Sequence, residues 1–128
     1  MIYKDIAEYI ENGFSEFRIG KSLFINQAPS TPDFLALIRD DAGGFEINGE
    51  MRTERKGSFK LVVRTDKYES GYNIAVQLSD FLTLNNVVMG EYLVKILRPK
   101  HEPISYQISE ANLYEISMNF SIIYGIVQ

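Results

Sequence analysis

The arrangement of secondary structure is predicted most clearly by residues 57–84, which read GSFKLVVRTDKYESGYNIAVQLSDFLTL. The first part, residues 58–65, alternates between two sets of side chains. Phe59, Leu61 and Val63 fall on one side of an extended chain, because successive side chains of a strand point to opposite faces. This alternation predicts a strand with one buried face.

The second part of the stretch predicts an amphipathic helix. Asp66 followed three residues later by Glu69 resembles a capping box, in which side chains bond to the free amides of the first turn. The helix is therefore predicted to begin at Asp66. Apolar residues at helical spacing continue as far as Leu82, so one face of the helix is predicted to lie on a sheet. Asn85 and Asn86 are predicted to end it.

Patterns on both sides of this stretch complete the predicted fold. Apolar stripes at spacings of three and four predict a helix, and apolar runs or alternation predict strands. These outer elements are a helix over residues 1–12 and strands over residues 23–25, 34–39, 92–97, 104–108 and 114–124. We expect a single domain over residues 1–128 with an α+β fold. Its sheet is predicted to be mixed and mainly antiparallel, with about five or six strands and two helices packed on one face.

Composition argues against several classes of protein. The chain has 128 residues and no cysteine, which excludes disulfide scaffolds, thiolate metal sites and cysteine nucleophiles. Its apolar stretches are much shorter than the roughly 20 residues that a membrane span needs, and its first residues lack the pattern of an export signal. We therefore expect an intracellular protein that does not bind membranes.

Charge is distributed unevenly along the chain. Residues 1–49 contain four Lys or Arg against eight Asp or Glu, residues 50–67 contain six against three, and residues 68–128 contain three against six. The central segment is therefore basic, although the net charge of the chain is −4. Two interpretations stay open. The segment could face an acidic surface of a neighbouring copy, or it could be a solvated strand face and loop.

Residues with catalytic or ligand-binding chemistry are sparse. His101 is the only histidine and lies between two prolines, so we predict a solvated loop residue and not a general base or metal ligand. Asp40, Asp41 and Glu46 lack the spacing of a calcium loop and are interpreted as turn formers. The nucleotide-binding loop motif is absent. The sequence thus predicts no catalytic, cofactor-binding or metal-binding residues.

One cluster of cations is a candidate for nucleic-acid binding. Its members are Arg52, Arg55, Lys56, Lys60, Arg64 and Lys67, with Phe59 as an aromatic side chain that could stack on a base. The acidic net charge argues against this function, and charged residues along a strand are commonly its solvated side. We therefore expect no sequence-specific binding of nucleic acid.

Three blocks of the sequence carry a family resemblance. The first contains Pro29, Pro32 and Asp33, an apolar strand, and then Asp40, Gly43 and Gly44. The second contains Phe59, Leu61, Val63, Arg64 and Tyr68, followed by the helix that ends in Leu82. The third contains Tyr114, Ile116, Met118, Asn119, Phe120 and Ile123. Their order and spacing resemble the minor capsid or tail terminator proteins of phages with long, noncontractile tails.

The resemblance implies a tail completion, or terminator, protein. Such a protein assembles as a ring, commonly a hexamer, which caps the finished tail tube and joins it to the head connector. Its implied partners are copies of itself, the major tail tube protein and the head–tail connector protein, while DNA passes through the lumen without being read. The resemblance implies no enzymatic activity and no cofactor. It places the protein at the head–tail junction of the virion, after assembly in the host cytoplasm.

The polar and charged residues 45–56 predict a long loop or an extended hairpin. If the resemblance holds, the loop over residues 41–56 is the first candidate for contact with a neighbouring copy, the lumen or the tube. The predicted contact residues are Phe45, Ile47, Met51, Arg52, Arg55 and Lys56. A mobile loop without such a role is the alternative. Two other functions also stay open: a head completion or stopper protein of the connector, and a small enzymatic or ligand-binding α+β module. A deep apolar pocket with converging polar groups would favour the module.

Overall fold

The computed structural model of the protein describes residues 2–30, 32–41, 44–51, 53–108 and 112–126. These residues form two helices, α1 (Ile2–Gly13) and α2 (Tyr68–Phe81). They also form eight strands: β1 (Leu23–Ile25), β2 (Phe34–Asp40), β3 (Glu46–Ile47), β4 (Glu54–Thr65), β5 (Leu84–Met89), β6 (Tyr92–Pro99), β7 (Ile104–Ile108) and β8 (Leu113–Ile126).

The strands form one sheet centred on β4 and β8. Its order is β1-β2-β4-β8-β6-β5, with β3 also paired to β4 and β7 also paired to β8. The β1–β2 pair is parallel and the other pairs are antiparallel. Strands β4 and β8 pair along the whole of β4, from Glu54 opposite Gly125 to Thr65 opposite Tyr114. The mixed, mainly antiparallel sheet is therefore as predicted.

One face of the sheet is covered by both helices. Phe59 of β4 and Phe120 of β8 are fully buried on this face, and their stacked rings have centroids 5.2 Å apart. Ile6 of α1 and Leu78 of α2 belong to the same core. Helix α2 lies across β4 and β8, whereas α1 contacts the edge strands β1 and β5, so the sheet curves around α1. The predicted α+β fold, with both helices on one face, is confirmed.

The sequence predicts about five or six strands, and the sheet has eight among the described residues. The two additional strands are β3, which lies in the segment predicted as a long loop or an extended hairpin, and β5, which has no predicted counterpart. Strand β5 occupies the segment in which Asn85 and Asn86 are predicted to end α2, and that prediction is wrong. Helix α2 ends at Phe81, and Asn85 pairs with Ile96 of β6. Asn86 has a φ of 54°, a conformation that asparagine tolerates better than most residues.

The start of α2 also differs from the prediction. Lys67, not Asp66, is the N-cap residue, and no side chain caps the helix, so the predicted capping box with Glu69 is wrong. The Thr65 hydroxyl instead accepts a hydrogen bond from the Lys67 amide at 3.0 Å and donates one to the Lys67 carbonyl at 3.1 Å. A Cβ added at Gly71 would lie 2.2 Å from Cγ2 of Thr65. Close approach of the first helical turn to β4 therefore requires glycine at this position.

Candidate assembly surface

The predicted contact segment contains an ordered hairpin. Strand β3 pairs with the first residues of β4, and Asn48 organises the turn between them. Its side-chain Nδ2 donates to Oε1 of Glu54 at 2.9 Å, while its Oδ1 accepts from the amides of Glu50 and Met51 at 3.0 and 3.3 Å. Asparagine is common in turns because its side chain replaces backbone partners in this way. These contacts favour the predicted extended hairpin over a mobile loop.

An ion pair fastens the hairpin to the neighbouring part of the sheet. The Glu54 carboxylate accepts a hydrogen bond from the Lys95 ammonium of β6. The Lys95 ammonium, and after it the Asn48 amide, lower the pKa of Glu54 below its usual value. Glu54 is therefore ionised at neutral pH, and its charge is matched within the hairpin and sheet.

Phe45 anchors the hairpin to the core. Its ring lies 5.8 Å from that of Tyr3 and 5.5 Å from that of Tyr124, measured between centroids. It also covers Gly57 of β4, where an added Cβ would lie 2.5 Å from Cδ1 of Phe45. Burial raises the pKa of Tyr3, and the Asp40 carboxylate raises it further, so this hydroxyl stays neutral. Whether Phe45 also contacts a neighbouring copy stays a prediction.

Strand alternation divides the other predicted contact residues between the two sides of the sheet. Ile47 and Arg55 pair with each other and point to the side of the helices, whereas Lys56 points to the opposite side. Ile47 is 60% exposed and Met51 is 51% exposed. Arg52 lies outside the described residues. The predicted contact residues that the structure describes therefore lie on both sides of the sheet.

The side of the sheet opposite the helices, which we call the open face, carries a shallow depression of about 400 Å³. Its side chains come from β3, β4, β6 and β8 and from the residue that follows β6. They are Glu46, Lys56, Ser58, Ile96, Lys100, Ser121 and Ile123, with backbone from Gly44 and Gly57. Small side chains form its floor, and Lys56 and Lys100 are both exposed. The arrangement fits a partner that carries carboxylates and apolar side chains.

A second depression, of about 350 Å³, lies at the end of the same sheet. Met51 of the hairpin meets Val88 of β5, Leu93 of β6 and Ile126 of β8 there. Val88 is 59% exposed, which is high for a valine in a strand. Together with Ile96, the side chains of Val88 and Leu93 make the open face apolar as well as basic, a combination that is typical of a protein-binding surface.

His101 takes part in a chain of hydrogen bonds between two loops. Its Nδ1 lies 2.7 Å from the Glu102 carbonyl oxygen, and its Nε2 lies 3.1 Å from Oδ1 of Asn119. The Asn119 amide donates in turn to Oδ2 of Asp41 at 3.1 Å. The histidine is in a loop, as predicted, but its ring is partly buried and bonded, so its description as a solvated residue is wrong. Its visible role is to join the β6–β7 and β2–β3 connections.

Metal binding and membrane crossing each require particular groups of residues. Within the described ranges, no group of three or more His, Cys, Asp or Glu side chains is placed to hold a metal ion. The helices of that same part of the chain are too short or too polar to cross a bilayer.

The fold and this surface can be compared with known proteins. One similar solved chain belongs to a structure described as the virion of a native gene transfer agent (GTA) particle. It has a TM-score of 0.64 and 14% sequence identity, and the match covers 83% of this chain and 80% of that chain. At this identity the likeness shows a shared fold, here one found in a chain of a virion structure. Comparison with curated protein sequences gives no match.

The family follows from the sequence of the chain itself. The family described as bacteriophage tail terminator protein matches residues 12–126. The chain therefore belongs to the bacteriophage tail terminator family and is a structural protein of the phage tail. The resemblance to tail terminators is confirmed at this level, while the minor capsid role and the long, noncontractile tail stay predictions.

Sequence analysis identified only part of the open face. It named Met51 and Lys56 but missed Val88, Ile96 and Lys100, which contribute to the depressions beside them. Val87 and Val88 are β-branched and follow two turn-forming asparagines, and this strand signal was available in the sequence. The juxtaposition of β4, β6 and β8 was not, because it depends on pairing between residues far apart in the chain.

Proposed function

We propose that the protein assembles as a ring, commonly of six copies, at the end of the tail tube. The ring stops growth of the tube and joins it to the head connector. The observation that carries this proposal is the family match over residues 12–126. That match supports a terminator over the head completion or stopper protein that occupies the neighbouring position.

The proposed mechanism is binding without catalysis. Copies meet through different surfaces of the same chain, and the ring closes when the rotation at each contact divides a full turn. The single domain over residues 1–128 is proposed to act as one building block. Its partners are other copies, the major tail tube protein and the head–tail connector protein. DNA passes through the lumen without sequence-specific contacts, and assembly takes place in the host cytoplasm before the protein becomes part of the virion.

The hairpin is proposed to contribute to these contacts. Ile47 and Met51 are exposed although they are apolar, and the bonds of Asn48 and Glu54 hold them in place before a partner binds. A rigid contact loses less conformational entropy on binding than a mobile loop does. This is the physical reason for keeping the hairpin residues as contact candidates.

The proposal is tested by adding the purified full-length chain to tail tubes that lack a terminator. We expect negative-stain images to show a ring at one end of each tube, and we expect capped tubes to stop growing and to join heads. Tubes without added protein are the control. The proposal is rejected if the chain leaves tube ends bare and phage deleted for the gene completes tails of normal length that join heads.

A further inference from the structure

The two sides of the sheet differ in charge. On the open face, Lys56 and Lys100 flank the larger depression, and neither forms an ion pair within the part of the chain that the structure describes. Lys60 lies on the same face, opposite Asn119. Glu46 is the only carboxylate that borders this depression in the described residues. Among the described residues, Lys56, Lys60 and Lys100 of the open face therefore form no ion pair, although Glu46 lies opposite Lys56 in the β3–β4 pairing.

The helix side has the opposite character. Along α2, Glu69 and Asp80 are exposed, and no basic residue lies in the last turn of the helix. Glu8 adds an exposed carboxylate on α1. Val76 is exposed between these two acids of α2, and Tyr68 is exposed at the start of the helix, just before Glu69. The outer surface of α2 thus combines apolar side chains with carboxylates, which is the composition that the open face fits.

We propose that neighbouring copies join with the open face of one copy, around Lys56 and Lys100, seated on the outer surface of helix α2 of the next copy. The occupant of the open face is thus a second copy of this chain. This inference rests on the proposed ring and names the contact that builds it.

Geometry and charge both support a second copy as the partner. Lys56 and Lys60 of β4 lie on the side of the sheet opposite α2. Lys100, which follows β6, also borders a depression with Val76 and Asp80 of α2 in the same copy. A contact between the open face around Lys56 and the outer surface of α2 therefore joins two different surfaces and leaves each copy with one free surface of each kind. Such a contact is heterologous and continues from copy to copy until it closes a ring. Complementary charge guides the orientation of the two surfaces. A strand of DNA fits less well, because Ile96 and Val88 place exposed apolar surface beside the cations.

The contact is tested with two charge-reversed variants of the full-length chain. The first, Lys56→Glu with Lys100→Glu, makes both surfaces acidic. The second, Glu69→Lys with Asp80→Lys, makes both surfaces basic. Each variant alone is expected to assemble at least about tenfold more weakly than the wild type, because like charges then meet at every contact. An equimolar mixture is expected to recover assembly, because alternating copies restore an attractive contact on both sides.

Assembly is measured by light scattering in solution and by negative-stain imaging on tail tubes. The control variant, Lys4→Glu with Lys21→Glu, changes the net charge by the same amount as the first variant but replaces exposed lysines away from the open face. It is expected to assemble like the wild type. Circular dichroism and thermal unfolding check that every variant folds. The proposal is overturned if folded single variants assemble as well as the control, or if the mixture assembles no better than the variants alone.

Cross-linking gives a second, independent test of the same contact. The chain contains no cysteine, so Ser121→Cys on the open face and Gln77→Cys on α2 introduce the only thiols. The double variant is expected to form a ladder of disulfide-linked oligomers under mild oxidation, whereas each single variant is expected to stop at dimers. A double variant that also stops at dimers counts against this contact. Rings at tube ends with that result would leave the proposed function standing, whereas bare tube ends would reject the function itself.

Discussion

Replacing Gly57 by alanine is expected to loosen the hairpin from the core. The new Cβ would lie 2.5 Å from Cδ1 of Phe45 and 2.9 Å from the Gly44 carbonyl oxygen, so the Phe45 ring must move. Overpacking of this kind lowers the free energy of unfolding by about 1 to 3 kcal/mol. Alanine loses less conformational entropy than glycine when the strand folds, which raises the free energy of unfolding by about 0.5 to 1 kcal/mol. The net loss in the free energy of unfolding is therefore about 0 to 2.5 kcal/mol, with the centre of the range near 1 kcal/mol.

A double-mutant cycle separates this effect from a general weakening of the sheet. Phe45→Ala alone is expected to cost about 2 to 4 kcal/mol, because the phenyl ring of Phe45 is removed and its two aromatic contacts are lost. In that background Gly57→Ala should cost about 1 kcal/mol less than in the wild type, since the ring that it displaces is gone. The control is Gly125→Ala in β8, where an added Cβ has no neighbour closer than 3.7 Å and little change is expected.

Urea unfolding followed by circular dichroism measures all four free energies. Equal costs of Gly57→Ala in the two backgrounds would show that Phe45 does not cover Gly57 and that the packing argument is wrong. A cost at Gly125 as large as that at Gly57 would mean that any side chain added to this sheet is destabilising.

Three further predictions follow from the packing, the ion pair and the predicted contact residues. Phe120→Ala should lower the free energy of unfolding by about 3 to 5 kcal/mol, as measured by urea unfolding, because it empties the centre of the core; a loss below about 1 kcal/mol would contradict the stacked, buried pair with Phe59. Because Lys95 lowers the pKa of folded Glu54, this carboxylate stabilises the fold above its unfolded pKa and loses that effect as the pH falls through the lower folded pKa. Thermal unfolding of wild type and Glu54→Gln should therefore differ at neutral pH and converge in acid, and a constant difference would refute the ion-pair explanation. Replacing Arg52, Arg55 and Lys56 together by alanine should leave folding intact and weaken assembly by light scattering, relative to alanine at Lys4, Lys21 and Lys67; normal assembly and normal joining of tails would reject a role for these residues.

The fold could be predicted from the sequence wherever one face of an element is strongly apolar. The alternation of Phe59, Leu61 and Val63 identified β4, and similar patterns identified β6, β8 and the stripe of α1. The strands at the edge of the sheet and the ends of helices were harder to predict. Asn85 and Asn86 fit both a helix end and a turn before a strand, and only the pairing of β5 with β6 decides between them.

The candidate surface was less predictable than the fold. Lys56 and Met51 stand out in the sequence because they lie in a polar segment of mixed character. Lys100 and Val88 do not, because each becomes part of the open face only when β4, β6 and β8 are in register. Similarly, a helix start at Asp66 was a sound local interpretation. The Thr65 hydroxyl bonds to Lys67 instead, Lys67 is the N-cap residue, and the helix begins at Tyr68, two residues after Asp66.

The central position of β8 has a consequence for how the protein is made. This strand lies between β4 on one side and β6 and β7 on the other, and it is synthesised after every other strand that the structure describes. During translation the edges of β4, β6 and β7 that face β8 stay unpaired until β8 has been made. The centre of the sheet can therefore form only after the last of the described strands has emerged from the ribosome.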